Sequence, residues 1–280
     1  MLDSLAGVTI VTPDLDIAVE AYASWLGYVP DTISIAGDEL ARLWGVPQAA
    51  SAKMAVLRPK SGEPRFIRLI EGQPDPIFQP LRHYGWAAAE IIAENVDLLA
   101  ERLGRIGSPF QIIGPPAVLD FDFTDKIKAM QVVGPAGEVL YLTEVDGEIP
   151  GFDLPKASSF VSQLFIMVLG SPDISAAADF YATQGLDAGP LIEARIDVLS
   201  HVHGMSADHR HRLTTVALNA KSYLEIDAFP STATARPLSS IGLPCGISIV
   251  SFYGTVEPNR PQIQIGGAGE WLEVLPQRRG

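Results

Sequence analysis

Residues 12–22 read TPDLDIAVEAY and residues 171–181 read SPDISAAADFY, so Pro13/Pro172, Asp14/Asp173, Ala18/Ala177 and Tyr22/Tyr181 coincide at a shift of 159. The same shift carries GDELARLWGVP (37–47) onto IDVLSHVHGMS (196–206), matching Asp38/Asp197, Leu40/Leu199 and Gly45/Gly204. Two separate matches at one shift define a duplicated half, and a duplication restricts the chain to folds made of similar units. The predicted division is 1–150 and 157–280, with the stretch 146–156, which holds two prolines and two glycines, as linker.

Each half has the same internal order. A short β-rich run comes first, at 8–11 in one half and 164–169 in the other. Pro-Asp then opens a helix, because Asp14 and Asp173 can accept hydrogen bonds from the free N–H groups of a first turn. Ile17, Ala21, Tyr22, Trp25 and Leu26 follow at helical spacing as one apolar face. Strands return at 53–57 and 66–70, with counterparts at 213–218 and 222–228, and a weaker strand is expected at 32–35.

A second unit follows in the first half: a strand at 86–93, a helix over 96–106, and strands at 110–113, 128–133 and 138–144. Its closing hairpin, Ala136-Gly-Glu-Val-Leu-Tyr141, recurs as Ala268-Gly-Glu-Trp-Leu-Glu273. A fourth unit is therefore present but abbreviated. Between its strands at 247–252 and 262–265 lies only 254–261, too short and too broken by Gly and Pro for a normal helix. The expected class is α+β, built from four βαβββ modules with the fourth reduced.

Apolar residues make up 47% of the 280 residues and charged residues 19%, which describes a chain with a substantial core. The net charge of −13 carries no acidic block; such a surface repels phosphate backbones, so no nucleic-acid partner is expected. The Arg278-Arg279 pair reads as solvated tail. Cys245 is the sole cysteine, which rules out an intrachain disulfide or a thiolate zinc cluster. The start lacks a basic signal segment, and no apolar run approaches the roughly 18 residues a membrane helix needs. A soluble, cytoplasmic protein without a membrane partner is expected.

The segments GVTIVTPDLDIAVEAY and LGY (7–22 and 26–28), followed by GPAGEVLYLTE (134–144), resemble the vicinal-oxygen-chelate superfamily of glyoxalases, bleomycin-resistance proteins and extradiol dioxygenases. That resemblance implies modules paired into two cup-shaped mixed sheets. It also implies one divalent ion, Fe, Mn, Ni or Zn, held by His and Glu on the cup wall and chelating two substrate oxygens. This chain departs from the pattern. The first-strand His positions hold Gly7 and Ile166, and the second-module positions hold Trp86-Ala87 and Cys245-Gly246. The final-strand Glu becomes Tyr141 in the first half and survives as Glu273 in the second; Glu225 resembles another family Glu, with Arg68 as its counterpart. By this comparison the N-terminal half holds no metal, and any ion belongs to the C-terminal half with Glu225 and Glu273.

Glu225 and Glu273 each alternate with apolar neighbours, which puts each carboxylate on the polar face of its strand: either the cup side, where the two converge for acid–base or metal work, or a solvated sheet face. Trp86, Phe121, Phe123, Met130 and Tyr141 are candidates to line an apolar pocket in the N-terminal half. His201 and His203 lie two apart on a short helix and so do not share its face, which suits surface residues or else a substrate lid or substitute ligands, while His209 and His211 sit among Arg210 and Arg212 in what reads as a solvated or anion-facing loop. His83 has no obvious partner, and the 120–125 run DFDFTD lacks the glycine and final Glu of a calcium loop. Two functions follow from the resemblance: a lyase, isomerase or ring-cleaving oxygenase acting on a small aromatic or carbonyl-bearing metabolite, or a metal-free protein that sequesters a flat ligand. A metal-independent enzyme using Glu225 or Glu273 as base lies between them. Without a helix behind the fourth module, Ile247, Ile249, Ile263 and Ile265 need another cover, and a homodimer would supply it.

Overall fold

The computed structural model describes residues 1–257 and 260–277; the Arg278-Arg279 tail lies outside the described residues. The first module comprises β1 (Leu2–Thr12), α1 (Leu15–Ala21), β2 (Tyr28–Ile35), α2 (Gly37–Trp44), β3 (Lys53–Pro59) and β4 (Phe66–Glu71). The second comprises β5 (Gly85–Ala93), α3 (Val96–Leu103), β6 (Gln111–Val118), β7 (Ile127–Val133) and β8 (Val139–Val145). The third comprises β9 (Val161–Ser171), α4 (Ile174–Thr183), β10 (Ile192–Arg195), α5 (Asp197–His203), β11 (Arg210–Leu218) and β12 (Ser222–Ala228). The fourth holds β13 (Gly246–Gly254), β14 (Gln262–Ile265) and β15 (Trp271–Pro276), with no helix among the described residues between its strands.

The helix starts follow the expected chemistry. Asp14 accepts from Ile17 N at 2.9 Å, Asp173 from Ala176 N at 3.1 Å and Asn95 from Leu98 N at 2.9 Å. α1 runs into a π-turn over Tyr22–Leu26 and stops at Gly27, whose φ of 74° is a left-handed cap. α3 ends at Leu103 rather than at 106, because Gly104 caps it and leaves Ile106 fully exposed. β6 extends past 113 through Pro115-Pro116, with register shifts; as an edge strand it has no outer partner to miss the prolines' N–H groups.

The strands form two mixed sheets, ordered β14-β15-β13-β1-β4-β3-β2 and β10-β11-β12-β9-β5-β8-β7-β6. The first sheet joins modules one and four, and the second joins modules two and three. Cups of this kind were expected, but one within each half; here every sheet crosses the division between 1–150 and 157–280. The reason lies in the opening strands. Each pairs in parallel with the last strand of its own module and is left with a bare edge. Joining β1 to β13, and β5 to β9, antiparallel removes both edges.

Within each half, consecutive modules are tied by a repeated clamp. Tyr22 on the first module donates to Glu138 Oε1 at 2.8 Å, and Tyr181 on the third donates to Glu270 Oε1 at 3.1 Å. The second oxygen of each Glu accepts from its own hairpin, Ala136 N at 2.8 Å and Ala268 N at 2.9 Å. The two most visible repeats in the sequence, the Tyr of the helix and the Ala-Gly-Glu hairpin, are thus partners in space.

One apolar core lies between the sheets and takes in α1, α3 and α4, with Trp86 of β5 against Phe252 of β13 at 6.3 Å between ring centroids. Ile247 and Ile249 are 2% and 0% exposed within this single chain, so a partner subunit is not needed to cover them; Ile263 is partly buried and Ile265 stays exposed. No helix among the described residues is long and apolar enough to cross a membrane.

Candidate functional site

The first cup is full. Its wall carries Arg68 on β4, Ser251 on β13 and Glu273 on β15. Arg68 Nη1 pairs with Glu273 Oε2 at 3.1 Å and donates to Thr9 Oγ1 at 3.1 Å. Trp44 Nε1 donates to Glu273 Oε1 at 3.1 Å, and Ser251 Oγ to Oε2 at 2.6 Å. The guanidinium lies over the rings of Trp44 (5.4 Å) and Phe66 (5.0 Å). Apolar residues from α2 and the sheet, among them Val11, Ala41, Met54 and Ile249, fill the remaining space. Glu273, 1% exposed, has both oxygens taken and no opening to solvent.

The second cup is open. A cavity of about 400 Å³ lies in it, in the slot between the edge strands β6 and β10, with Glu90, Gln131, Tyr141, His201 and Glu225 among the polar groups on its wall. A smaller chamber of about 60 Å³ adjoins it, roofed by Phe121, Phe123 and Phe152. Glu90, Leu119, Phe121, Leu213 and Glu225 border both spaces, so the two carboxyls stand where an apolar chamber meets a polar one. The rings above stack in series, Phe121 on Phe123 at 5.1 Å and Phe123 on Phe152 at 5.7 Å.

Among the described residues, neither carboxyl forms an ion pair. Burial pushes Glu90 up to about 8, helped by the charge of Glu225 and opposed by the bond that Thr143 Oγ1 donates to Glu90 Oε1 at 2.6 Å. Burial pushes Glu225 up to about 7, opposed by a hydrogen bond with Asp227. Asp227, 1% exposed, is driven well above the usual carboxylate range, first by burial and then by Glu225; its Oδ1 has no hydrogen-bond partner. Tyr141 is raised by burial and then by the three carboxyls, so it stays a phenol and a donor. At neutral pH the wall therefore offers a mostly protonated Glu90 and a Glu225 close to its midpoint, with Asp227 hydrogen-bonded to Glu225 behind it.

The sequence candidates divide. Glu225, Phe121, Phe123, Tyr141 and His201 border the open cup. Glu273 does not: it belongs to the other sheet, so the proposed Glu225–Glu273 site does not exist. Trp86 and Met130 point the other way, into the core between the sheets: on β7 the period-two alternation turns Ala129 and Gln131 towards the cavity, and on β5 a bulge between Trp86 and Ala88 puts Trp86 on the face opposite Glu90. Trp86 Nε1 donates to the Trp271 carbonyl at 2.8 Å. His203 is held by Thr232 Oγ1 (2.6 Å) and the Leu81 carbonyl (3.0 Å), away from the carboxyls. His211 is buried against Ser200 Oγ at 2.8 Å rather than solvated, and burial lowers it to about 4, so it stays neutral. His83 has partners after all, in Gln79 N and Thr234 Oγ1. Cys245 is a buried thiol, as expected.

Glu90 and Asp227 were missed. Glu90 is the only charged residue in the run Gly85–Ala93, GWAAAEIIA, and a lone carboxyl inside an apolar strand was the available signal.

The donor set does not fit a resident transition metal. The cup wall offers Glu90 and Glu225 without an aligned imidazole, and both carboxyls lean towards their protonated forms. Among the described residues, no group of three or more His, Cys, Asp or Glu side chains is placed to hold an ion.

No family model matches the sequence, and no curated protein matches it. Solved structures do match the fold. Glyoxalase I from Zea mays aligns over 98% of this chain and 92% of its own at 12% identity, with a TM-score of 0.62. A Bacillus subtilis protein provisionally named a dioxygenase aligns over 100% and 86% at 11% identity, also with a TM-score of 0.62.

Proposed function

We propose that this chain, which has the vicinal-oxygen-chelate fold, is an enzyme that isomerises or otherwise rearranges a small carbonyl-bearing molecule by metal-independent proton transfer in its second cup. The observation that supports this most is the placement of Glu90 and Glu225 at the junction of the two chambers, with burial tuning them to about 8 and about 7. General acid–base chemistry works best with groups near the operating pH.

Glu225, ionised, takes a proton from a carbon next to the carbonyl. The C–H electron pair becomes the enol double bond, the carbonyl π pair moves to oxygen, and protonated Glu90 delivers its proton there. Tyr141 donates a hydrogen bond to the same oxygen. In an α-hydroxy carbonyl compound, return of the proton from Glu225 to the former carbonyl carbon, while the neighbouring hydroxyl gives its proton to Glu90 and becomes the new carbonyl, gives the isomer and restores the enzyme without any net redox change. Asp227, by donating to Glu225, keeps its charge tolerable in a buried site.

The test is deuterium exchange into small aryl and alkyl ketones in D₂O, followed by NMR. Glu225→Gln should slow exchange about 100-fold or more. The rate should follow a narrow bell, rising as Glu225 ionises near 7 and falling as Glu90 loses its proton near 8. The stacked Phe121, Phe123 and Phe152 roof favours a second reading, sequestration of a flat ligand. Tight binding of aromatic ligands without exchange into any carbonyl compound would establish that reading and remove the enzyme.

A further inference from the structure

Arg195 on β10 and Arg210 on β11 are direct register partners across the antiparallel pair. Like charges directly opposite each other destabilise a sheet unless an anion lies between them. Here the anion is Asp120, which follows β6 on the far side of the slot. Its Oδ2 accepts from Arg195 Nε at 3.1 Å and from Arg210 Nη1 at 3.1 Å. Arg210 is also fixed from behind, because its Nη2 donates to the Glu193 carbonyl at 2.9 Å. Asp120 and Arg195 both border the 400 Å³ cavity, so the ion pairs bridge its mouth from one edge strand to the other.

These pairs are exposed, with Arg195, Arg210 and Asp120 side chains 47%, 38% and 43% accessible. Ion pairs this open to water are weak and exchange readily. The arginines stay in place as strand residues, whereas Asp120 sits in the short loop between β6 and β7, beside Phe121 of the chamber roof.

We infer that Asp120 is a stand-in for the substrate: the molecule that enters the second cup carries a carboxylate, which displaces Asp120 from Arg195 and Arg210 while the rest of the ligand reaches the junction of the two chambers. A carboxylate offers two oxygens to two guanidinium groups where Asp120 uses one, so the exchange favours the ligand. At neutral pH Glu90 holds its proton and Glu225 is only partly ionised, so the floor of the cavity carries less than one full negative charge against the two guanidinium groups at the mouth. Displacing Asp120 also frees the loop that carries Phe121, which links entry of the acid head to the roof over the apolar end.

The inference rests on the second cup being the site, and binding tests it separately from catalysis. Phenylacetate and its neutral analogue phenylacetamide are titrated calorimetrically into the full-length protein at pH 7.5. Asp120→Ala should tighten phenylacetate about tenfold, as one competing carboxylate is removed, and leave phenylacetamide unchanged. The double variant Arg195→Gln/Arg210→Gln should weaken phenylacetate about tenfold or more while binding the amide normally, which shows the cavity intact. No gain on Asp120→Ala, an equal gain for the amide, or no phenylacetate binding by either the unaltered protein or Asp120→Ala overturns the inference. Carboxylate binding of the expected pattern without deuterium exchange removes the proton-transfer reading alone. Exchange into neutral ketones, indifferent to Asp120→Ala and without carboxylate preference, removes the substrate-head assignment alone.

Discussion

The two cups are built from equivalent strands, yet one is closed and the other open. Sheet register aligns their walls position by position. Gly7, Arg68, Ser251 and Glu273 of the first correspond to Ile166, Glu225, Glu90 and Tyr141 of the second. In the first, a single acid meets a guanidinium, and three donors saturate it. In the second, two acids form no ion pair among the described residues, and a third joins them at Asp227. The covering helices differ in the same sense. Trp44 of α2 reaches down onto Glu273, while its repeat counterpart His203 on α5 turns away to Thr232 and the Leu81 carbonyl. One copy of the duplicated unit has become a packed support, and the other has kept both space and chemically unsettled groups.

The largest expected effect tests whether the first cup is structural. Glu273→Ala leaves Arg68 buried without a partner and should lower unfolding stability by about 3–5 kcal/mol in urea titration. Glu225→Ala, which relieves an unfavourable acid, should change stability by less than about 1 kcal/mol or raise it. Equal losses in the two variants would erase the distinction between the cups.

A smaller effect is expected from pH. Glu90 and Glu225 hold protons in the folded state up to about 8 and about 7, whereas in the unfolded chain they lose them at ordinary carboxylate values. Between those limits the folded protein binds more protons, so stability is greatest on the acid side and falls as pH rises through the folded values. From pH 6.5 to 8 the loss should be on the order of 2 kcal/mol. In Glu90→Gln/Glu225→Gln the curve should flatten over that range. A wild-type curve that rises with pH there would show that the second cup lacks raised carboxyls.

The smallest effect concerns what the halves share. Tyr22→Phe and Tyr181→Phe each remove one donor from a buried Glu of a hairpin, and each should cost about 1 kcal/mol in thermal or urea unfolding. A marked asymmetry between them would mean that the abbreviated fourth module is held by other contacts.

Much of the fold was legible because its signals are local. Pro-Asp before an apolar helical face, alternating β-rich runs and the Ala-Gly-Glu hairpin all act within a few residues, and the duplication printed them twice. Of the covering helices, 37–44 was visible only as a repeat, and 197–203 also as the short helix under His201 and His203. The candidate site was half legible. Glu225 stood out against apolar neighbours, but pairing it with Glu273 assumed that modules adjacent in sequence share a sheet. Trp86 and Met130 were misassigned because composition marks a residue as apolar without saying which face of the strand it takes, and one step of register reverses that face. Asp120 was read only against a calcium loop and Arg210 only as a neighbour of the histidines in a solvated or anion-facing loop; nothing tied either to Arg195, since Asp120 is 75 residues from it.

The sequence by itself determined that four related units exist, where each begins, and that the usual imidazole ligands are missing. Only the tertiary structure decided which units share a sheet, because that depends on how bare strand edges are covered, a matter of long-range pairing. That pairing separates Glu273 from Glu225, buries the one with Arg68, and leaves the other, backed by Asp227, with Glu90 on the wall of an open cavity.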